Sequence, residues 1–169
     1  ISAAYEAQKH KLSYLVIEKG LIGNTIYNYP VGLTVFSTTN ELEFVEGDLK
    51  PAREKPTREE LLSYYVRFVL DNELNIQWEE EVSSVEKRGE NHFVIKTGKG
   101  EYVAKNVLFA IGAMDFPRKL NVKGEDLPKV RDHFRETYPW VKKKALVVGG
   151  GNSAVEAALF LAEEGADAT

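Results

Sequence analysis

The stretch that most limits what this chain can fold into is Leu146-Val147-Val148-Gly149-Gly150-Gly151-Asn152-Ser153-Ala154-Val155-Glu156. A short apolar run of this kind reads as a buried parallel strand. Glycines follow it without a spacer. An alanine- and leucine-rich segment, 153–164, then reads as a helix that Gly165 caps. Strand, tight turn and helix in this order make the G-x-G-x-x-A form of the dinucleotide-binding fingerprint. Gly149 is expected to make the turn, Gly151 to let backbone approach a pyrophosphate, and Ala154 to keep helix and sheet close. Free N–H groups and the helix dipole at such a helix start favour phosphates. Three glycines alone also fit an ordinary loop; the strand before them and the helix after them favour the fingerprint.

A second strand-and-helix pattern opens the chain. Residues 1–9 read as an amphipathic helix with Ala3, Ala4 and Ala7 on a small face. Residues 12–17 read as a mostly apolar strand ending at Glu18. A carboxylate at that strand end grips a ribose 2′-OH in a dinucleotide fold; the plain alternative is a solvated strand terminus. The glycines that should precede the first helix would lie immediately before Ile1, and the chain is expected to stop before a strand. It therefore reads as a piece of a larger protein.

Between the two patterns the signals change character. Residues 20–39, with Tyr27, Asn28, Tyr29, Pro30 and Phe36, read as a loop. There Asn28 either orients a ring by its amide or caps a turn. Thr57 and Glu60 form a capping box for a helix with Leu61, Leu62, Tyr65, Phe68 and Val69 on its apolar stripe. Residues 81–87, 92–97 and 101–104 read as an antiparallel meander turned at Gly98 and Gly100. Residues 106–113 read as a buried strand ending in small residues. Residues 118–141, with Arg131, His133, Arg135 and Tyr138, read as an exposed crossover. The fold class is therefore α/β: two dinucleotide-binding, Rossmann-like units, both incomplete, with an antiparallel β-meander in the first. The expected divisions are 1–117, 118–141 and 142–169.

Composition narrows the function. A net charge of −4 over 169 residues, with no basic aromatic-laced stripe, argues against nucleic acid as a partner. No apolar run is long enough for a membrane-spanning helix. The three histidines are scattered and no metal site is expected. There is no cysteine, which removes disulfides and a redox-active cysteine pair from these residues. A cytoplasmic location is the default.

Val16-Ile17-Glu18, Asn28-Tyr29-Pro30, Phe109-Ala110-Ile111-Gly112-Ala113 and Val147-Val148-Gly149-Gly150-Gly151-Asn152-Ser153-Ala154 are spread over nearly the whole chain. Together they resemble the thioredoxin reductase-like flavoprotein disulfide reductases. Tyr27-Asn28-Tyr29-Pro30, Phe36-Ser37-Thr38 and His133-Phe134-Arg135-Glu136 are similar to their bacillithiol disulfide reductase branch. The resemblance implies FAD and either NADPH or NADH as cofactors. It implies that 1–117 is a partial FAD-binding domain lacking its first strand and glycine loop, and that 142–169 starts an NAD(P)-binding domain. Glu18 would hold the FAD ribose, Asn28 would lie near the flavin, Val82 would offer backbone contacts to adenine, and Gly112 would let the chain pass beside FAD. Gly149, Gly151, Asn152, Ser153 and Ala154 would bind the nicotinamide cofactor's pyrophosphate. No catalytic side chain is assigned. Thioredoxin reductases carry a Cys-x-x-Cys shortly before the second glycine motif; here Arg131-Asp132-His133-Phe134-Arg135-Glu136-Thr137-Tyr138 stands instead. The implied reaction passes a hydride from NAD(P)H to flavin and electrons on to a small-molecule disulfide or a redoxin-like protein, and a homo-oligomer is compatible with it. A flavin monooxygenase, a ferredoxin–NADP reductase of the same fold and a non-catalytic nucleotide-binding module are the alternatives.

Overall fold

The structure is a computed structural model that describes residues 1–114 and 116–169. The chain forms two compact units, Ile1–Tyr27 with Thr34–Pro117 and Asn28–Leu33 with Arg118–Thr169. Each unit contains a two-stranded parallel sheet, and the first also holds a three-stranded antiparallel one. The α/β class, the two dinucleotide-type units and the meander in the first are thus observed.

In the first unit, α1 (Ser2–Lys9) buries Ala4 against Phe68, Val69, Leu74 and Ile76; of the expected small face, Ala7 is half-buried and Ala3 exposed. β1 (Val16–Ile17) runs parallel to β2 (Ile76–Gln77). β1 is shorter than the expected strand because Tyr14 bonds elsewhere. Its carbonyl accepts from Asn75 Nδ2 at 2.9 Å, and its hydroxyl donates to Gln8 Oε1 at 2.9 Å. The region expected as a loop, 20–39, holds a single turn of helix, α2 (Asn24–Tyr27), and ends where a second begins, α3 (Thr39–Leu42). Glu41 fastens the start of α3 by accepting from the Thr38 N–H at 2.9 Å.

The longest helix, α4 (Arg58–Asp71), begins where its capping box predicts. The Thr57 hydroxyl accepts from the Glu60 N–H at 3.2 Å, and the Glu60 carboxylate accepts from the Thr57 N–H at 2.8 Å. Leu61, fully buried, joins Val35 and Leu49, while Phe68 and Val69 face the α1 side of the core. Phe68 meets Tyr5 edge-on at 4.9 Å between centroids and Phe44 and Tyr64 at tilted angles, while Phe44 and Tyr64 stack. The meander follows as β3 (Val82–Gly89), β4 (His92–Thr97) and β5 (Glu101–Ala104), paired in that order.

The segment 106–113 departs from expectation. It takes no strand ladder among the described residues, and Leu108, Phe109 and Ile111 are 75%, 65% and 80% exposed. Val16 and Leu108 therefore share no sheet. Apolar composition suits a buried strand but cannot make one without a neighbour for its backbone groups. Among the described residues β1 and β2 pair only with each other.

The second unit pairs β6 (Lys144–Ala145) in parallel with β7 (Asp167–Ala168), around α5 (Asn152–Glu163). The run after β6 keeps this parallel course, since the Val147 N–H donates to the Thr169 carbonyl at 2.8 Å. Leu146 and Val148 nevertheless lie exposed rather than buried, because no layer covers them among the described residues. β7 also lies where the chain was expected to end short of a strand. Gly165 closes α5 with a left-handed φ of +87°.

Replacing Thr57 with alanine removes the hydroxyl from the α4 cap. A loss of about 1 kcal/mol of unfolding free energy is expected, read from the urea midpoint at constant m-value.

Candidate functional site

Glu18 stands where β1 ends. Its N–H donates to the Gln77 carbonyl at 2.8 Å, continuing the parallel ladder. Its half-buried carboxylate accepts from the Gly20 N–H at 2.7 Å. The carboxylate therefore stands at a strand end, where a dinucleotide fold holds the acceptor for a ribose diol.

Residues 79–82 lie directly beside it. The Glu80 N–H donates to the Glu18 carbonyl at 3.0 Å, and the Glu79 N–H donates to the Gly20 carbonyl at 2.9 Å. Glu79 turns the chain there with a left-handed φ of +54°. Val82 opens β3, the edge strand of the meander, and is 37% exposed. The register shifts between Val82 and Ser84, so the ladder is irregular at this point. An open cavity of about 540 Å³, lined by residues 79–83 with Gly98 and Lys99, lies against this backbone.

Glu80 escaped the sequence reading. Only 2% of it is exposed. Its Oε1 accepts from the Thr97 hydroxyl at 2.6 Å and the Tyr102 hydroxyl at 2.8 Å, while Lys99 Nζ lies 4.0 Å from Oε2. The bond from Thr97 holds the Glu80 carboxyl below the usual glutamate range; burial opposes this, and Tyr102 and Lys99 add to it. In sequence the residue is hidden as the middle of three consecutive glutamates. The one available signal was a threonine and a tyrosine flanking the hairpin turn that faces it.

Gly112 has a φ of +66°, which favours glycine, and an added Cβ would meet nothing within 4 Å. No hydrogen bond among the described residues ties it to Glu18 or Val82. Asn28 lies half-buried in the turn after α2 and belongs to the Asn28–Leu33 segment of the second unit, so it is not gathered with those residues in one unit.

The glycine motif divides its labour. Gly149 has a φ of +147°, and a Cβ placed on it would stand 3.1 Å from the Ala154 Cβ. Close approach of turn and helix thus depends on this pair. Gly151 is the N-cap of α5 with φ −88° and ψ 172°, a conformation open to any residue, and an added Cβ there meets nothing within 4 Å. No side chain caps the helix, and Asn152 and Ser153 at its start are exposed. The helix begins one residue earlier than expected. Its first amides thus face open space, which fits a pyrophosphate.

In the segment 118–141, His133 Nδ1 lies 3.0 Å from Asp132 Oδ1, and Lys119 Nζ lies 3.7 Å from Asp132 Oδ2. The bond to His133 lowers the Asp132 pKa. Among the described residues no group of three or more His, Cys, Asp or Glu could hold a metal ion, and no helix is long and apolar enough to cross a membrane.

The profile of the pyridine nucleotide-disulphide oxidoreductase family matches residues 1–169. Bacilliredoxin reductase Bdr of Bacillus subtilis is 40% identical over 169 residues, covering 100% of this chain and 52% of that protein. The solved bacillithiol disulfide reductase Bdr of Staphylococcus aureus superposes with a TM-score of 0.93 at 36% identity, over 99% of this chain and 51% of that one. The Bacillus cereus enzyme of the same name gives 0.92 at 39% identity, over 99% and 53%. The chain spans about half the length of these relatives.

Two outcomes follow from this geometry. Gly151→Val meets no neighbour and loses only the N-cap preference for glycine, up to about 1 kcal/mol of unfolding free energy, yet is expected to weaken nicotinamide-cofactor binding. Gly149→Val costs about 1–3 kcal/mol by overpacking against Ala154. Titration of the cofactor beside urea unfolding separates the two effects. The second outcome concerns acid. Glu80 is held low when folded, so its contribution is complete above the unfolded pKa near 4.3 and is lost as pH falls through the folded value. The Tm difference between the parent and Glu80→Gln should stay level from about pH 7 to 5 and close below about pH 4.

Proposed function

We propose a function from the family to which this chain belongs, the pyridine nucleotide-disulphide oxidoreductases: the whole protein is an FAD-dependent reductase of a low-molecular-weight disulfide. The acceptor is bacillithiol disulfide or a bacilliredoxin carrying its mixed disulfide. The balanced reaction is NAD(P)H + H⁺ + RSSR → NAD(P)⁺ + 2 RSH. Similarity to bacilliredoxin reductase along the whole of this chain, at 40% identity, is the observation that carries the reading. A cytoplasmic setting suits it, because thiols are kept reduced there.

Bound FAD would supply the chemistry, as hydride acceptor from the nicotinamide and two-electron donor to the disulfide. The chain's own residues would bind and orient it. Glu18 would accept from the ribose hydroxyls of FAD, and the backbone at Val82 would meet the adenine. Gly112 would let the chain pass the cofactor without a side chain, and Asn28 would lie near the flavin. Residues 1–117 thereby form part of the FAD domain, with 118–141 as the crossover. In 142–169, the amides at Gly151, Asn152 and Ser153 receive the nicotinamide cofactor's pyrophosphate, while Gly149 and Ala154 set the distance between turn and helix. With no cysteine in the segment 131–138, electron transfer there cannot run through a Cys-x-x-Cys pair.

The full-length protein, reconstituted with FAD, tests this reading. Anaerobic addition of NADPH or NADH should bleach the flavin absorbance. Bacillithiol disulfide or an oxidised bacilliredoxin should restore it under turnover. Restoration by ferredoxin instead, or oxygen-dependent hydroxylation with no disulfide reduced, would replace this function by one of its alternatives. A protein that holds no flavin would end it.

A further inference from the structure

We infer that Glu80 is a positioning residue for the adenosine half of FAD, a role that rests on the placement of that adenosine between Glu18 and Val82. Glu80 touches both sides of this site through different atoms. Its amide holds the Glu18 carbonyl at 3.0 Å, at the end of β1. Its carboxylate reaches the other way, to Thr97 at the end of β4 and Tyr102 in β5. Two residues on, Val82 pairs with Thr97 across the meander. The strand that carries the Val82 backbone and the strand that carries Glu18 are thus both held by Glu80, beside the bond from the Glu79 N–H to the Gly20 carbonyl and the Lys19–Glu81 ion pair.

The neighbouring geometry makes this fastening specific. β3 is an edge strand with an irregular ladder at Val82–Ser84, so its own pairing fixes that backbone weakly. The Ser83 hydroxyl donates to the Lys96 carbonyl at 3.1 Å, which ties the bulge to β4. β4 is in turn held to Glu80 through Thr97. The cavity beside Val82 has Glu80 and Lys99 in its wall, and Lys99 Nζ also donates to the Trp78 carbonyl at 3.4 Å. A carboxylate withdrawn from solvent, and bonded to two hydroxyls of the neighbouring strands, fixes position more strongly than neutral bonds do. Glu80 acts on this cavity through Glu18 and Val82.

The test uses the full-length protein stripped of FAD, with Glu80→Gln, Tyr102→Phe and the double variant. Flavin fluorescence on titration gives the dissociation constant. Glu80→Gln should weaken FAD about tenfold, the equivalent of one hydrogen bond to a charged group. ADP, competing for the same half-site, should weaken by the same factor, whereas FMN, which lacks adenosine, should bind both proteins alike. Tyr102→Phe removes one donor from the carboxylate and leaves Glu80 in place, so it should shift FAD in the same direction. The double variant should be no worse than Glu80→Gln alone, because both act through one network. Should Glu80→Gln not fold, Tyr102→Phe still decides the matter through the FAD, ADP and FMN titrations. Unchanged FAD affinity in these variants, or an equal loss for FAD and FMN, overturns the role of Glu80 while the functional reading stands. A parent protein that binds no FAD overturns the functional reading and this role together.

Discussion

The first unit depends on what happens where β1 and β2 end. Two parallel strands of two residues each are a small platform, and a sheet of that size does not hold a meander in place by its ladder alone. The connection is instead made by a carboxylate withdrawn from water. Burying an ionised group without partners is prohibitive; at Glu80 the hydroxyls of Thr97 and Tyr102 supply them. The same residue's amide closes onto Glu18. Secondary-structure pairing, a side-chain network and a candidate ribose acceptor therefore converge on three or four consecutive positions after Gln77. A conservative change at one of them reaches the others.

The second unit solves a different problem with smaller means. Its motif must bring a turn close to a helix and still leave the helix start open. Gly149 and Ala154 meet the first need at a distance where a methyl group would already press on its neighbour. Gly151 meets the second in an ordinary backbone conformation, so nothing in the fold itself forbids a side chain there. This contrast separates a glycine required by packing from one that packing leaves free. A motif pattern alone cannot draw that distinction, since it records only that glycine occurs.

Local chemistry made much of the architecture legible from sequence. Thr57 and Glu60 announce the start of α4 because the cap is satisfied within four residues, and Gly165 announces the end of α5 for the same reason. The meander reads through its alternation and its glycine turn. Features that depend on distant partners were not readable. The strand expected at 106–113 has the composition but no neighbour. Glu80 resembles the two glutamates beside it until the fold brings Thr97 and Tyr102 against it. Thr38 and Glu41 repeat the spacing of Thr57 and Glu60, but the helix they start is a single turn and carries no long apolar stripe. Among the candidate binding residues, Glu18 and Val82 prove to be neighbours through Glu80. Asn28 falls in a segment that packs with the other unit.

The uncovered run Val107-Leu108-Phe109-Ala110-Ile111 has a consequence of its own. It is free of charge and proline and rich in residues that favour extended pairing, and three of its side chains are more than half exposed. Those are the properties of segments that stack into intermolecular β-structure. In sequence Lys105 precedes the run by two residues, and Asp115 follows it by four. Any state of the protein that leaves this edge bare is therefore a route to self-association. Covering these side chains, by chain or by partner, removes that route without any change in the two cores.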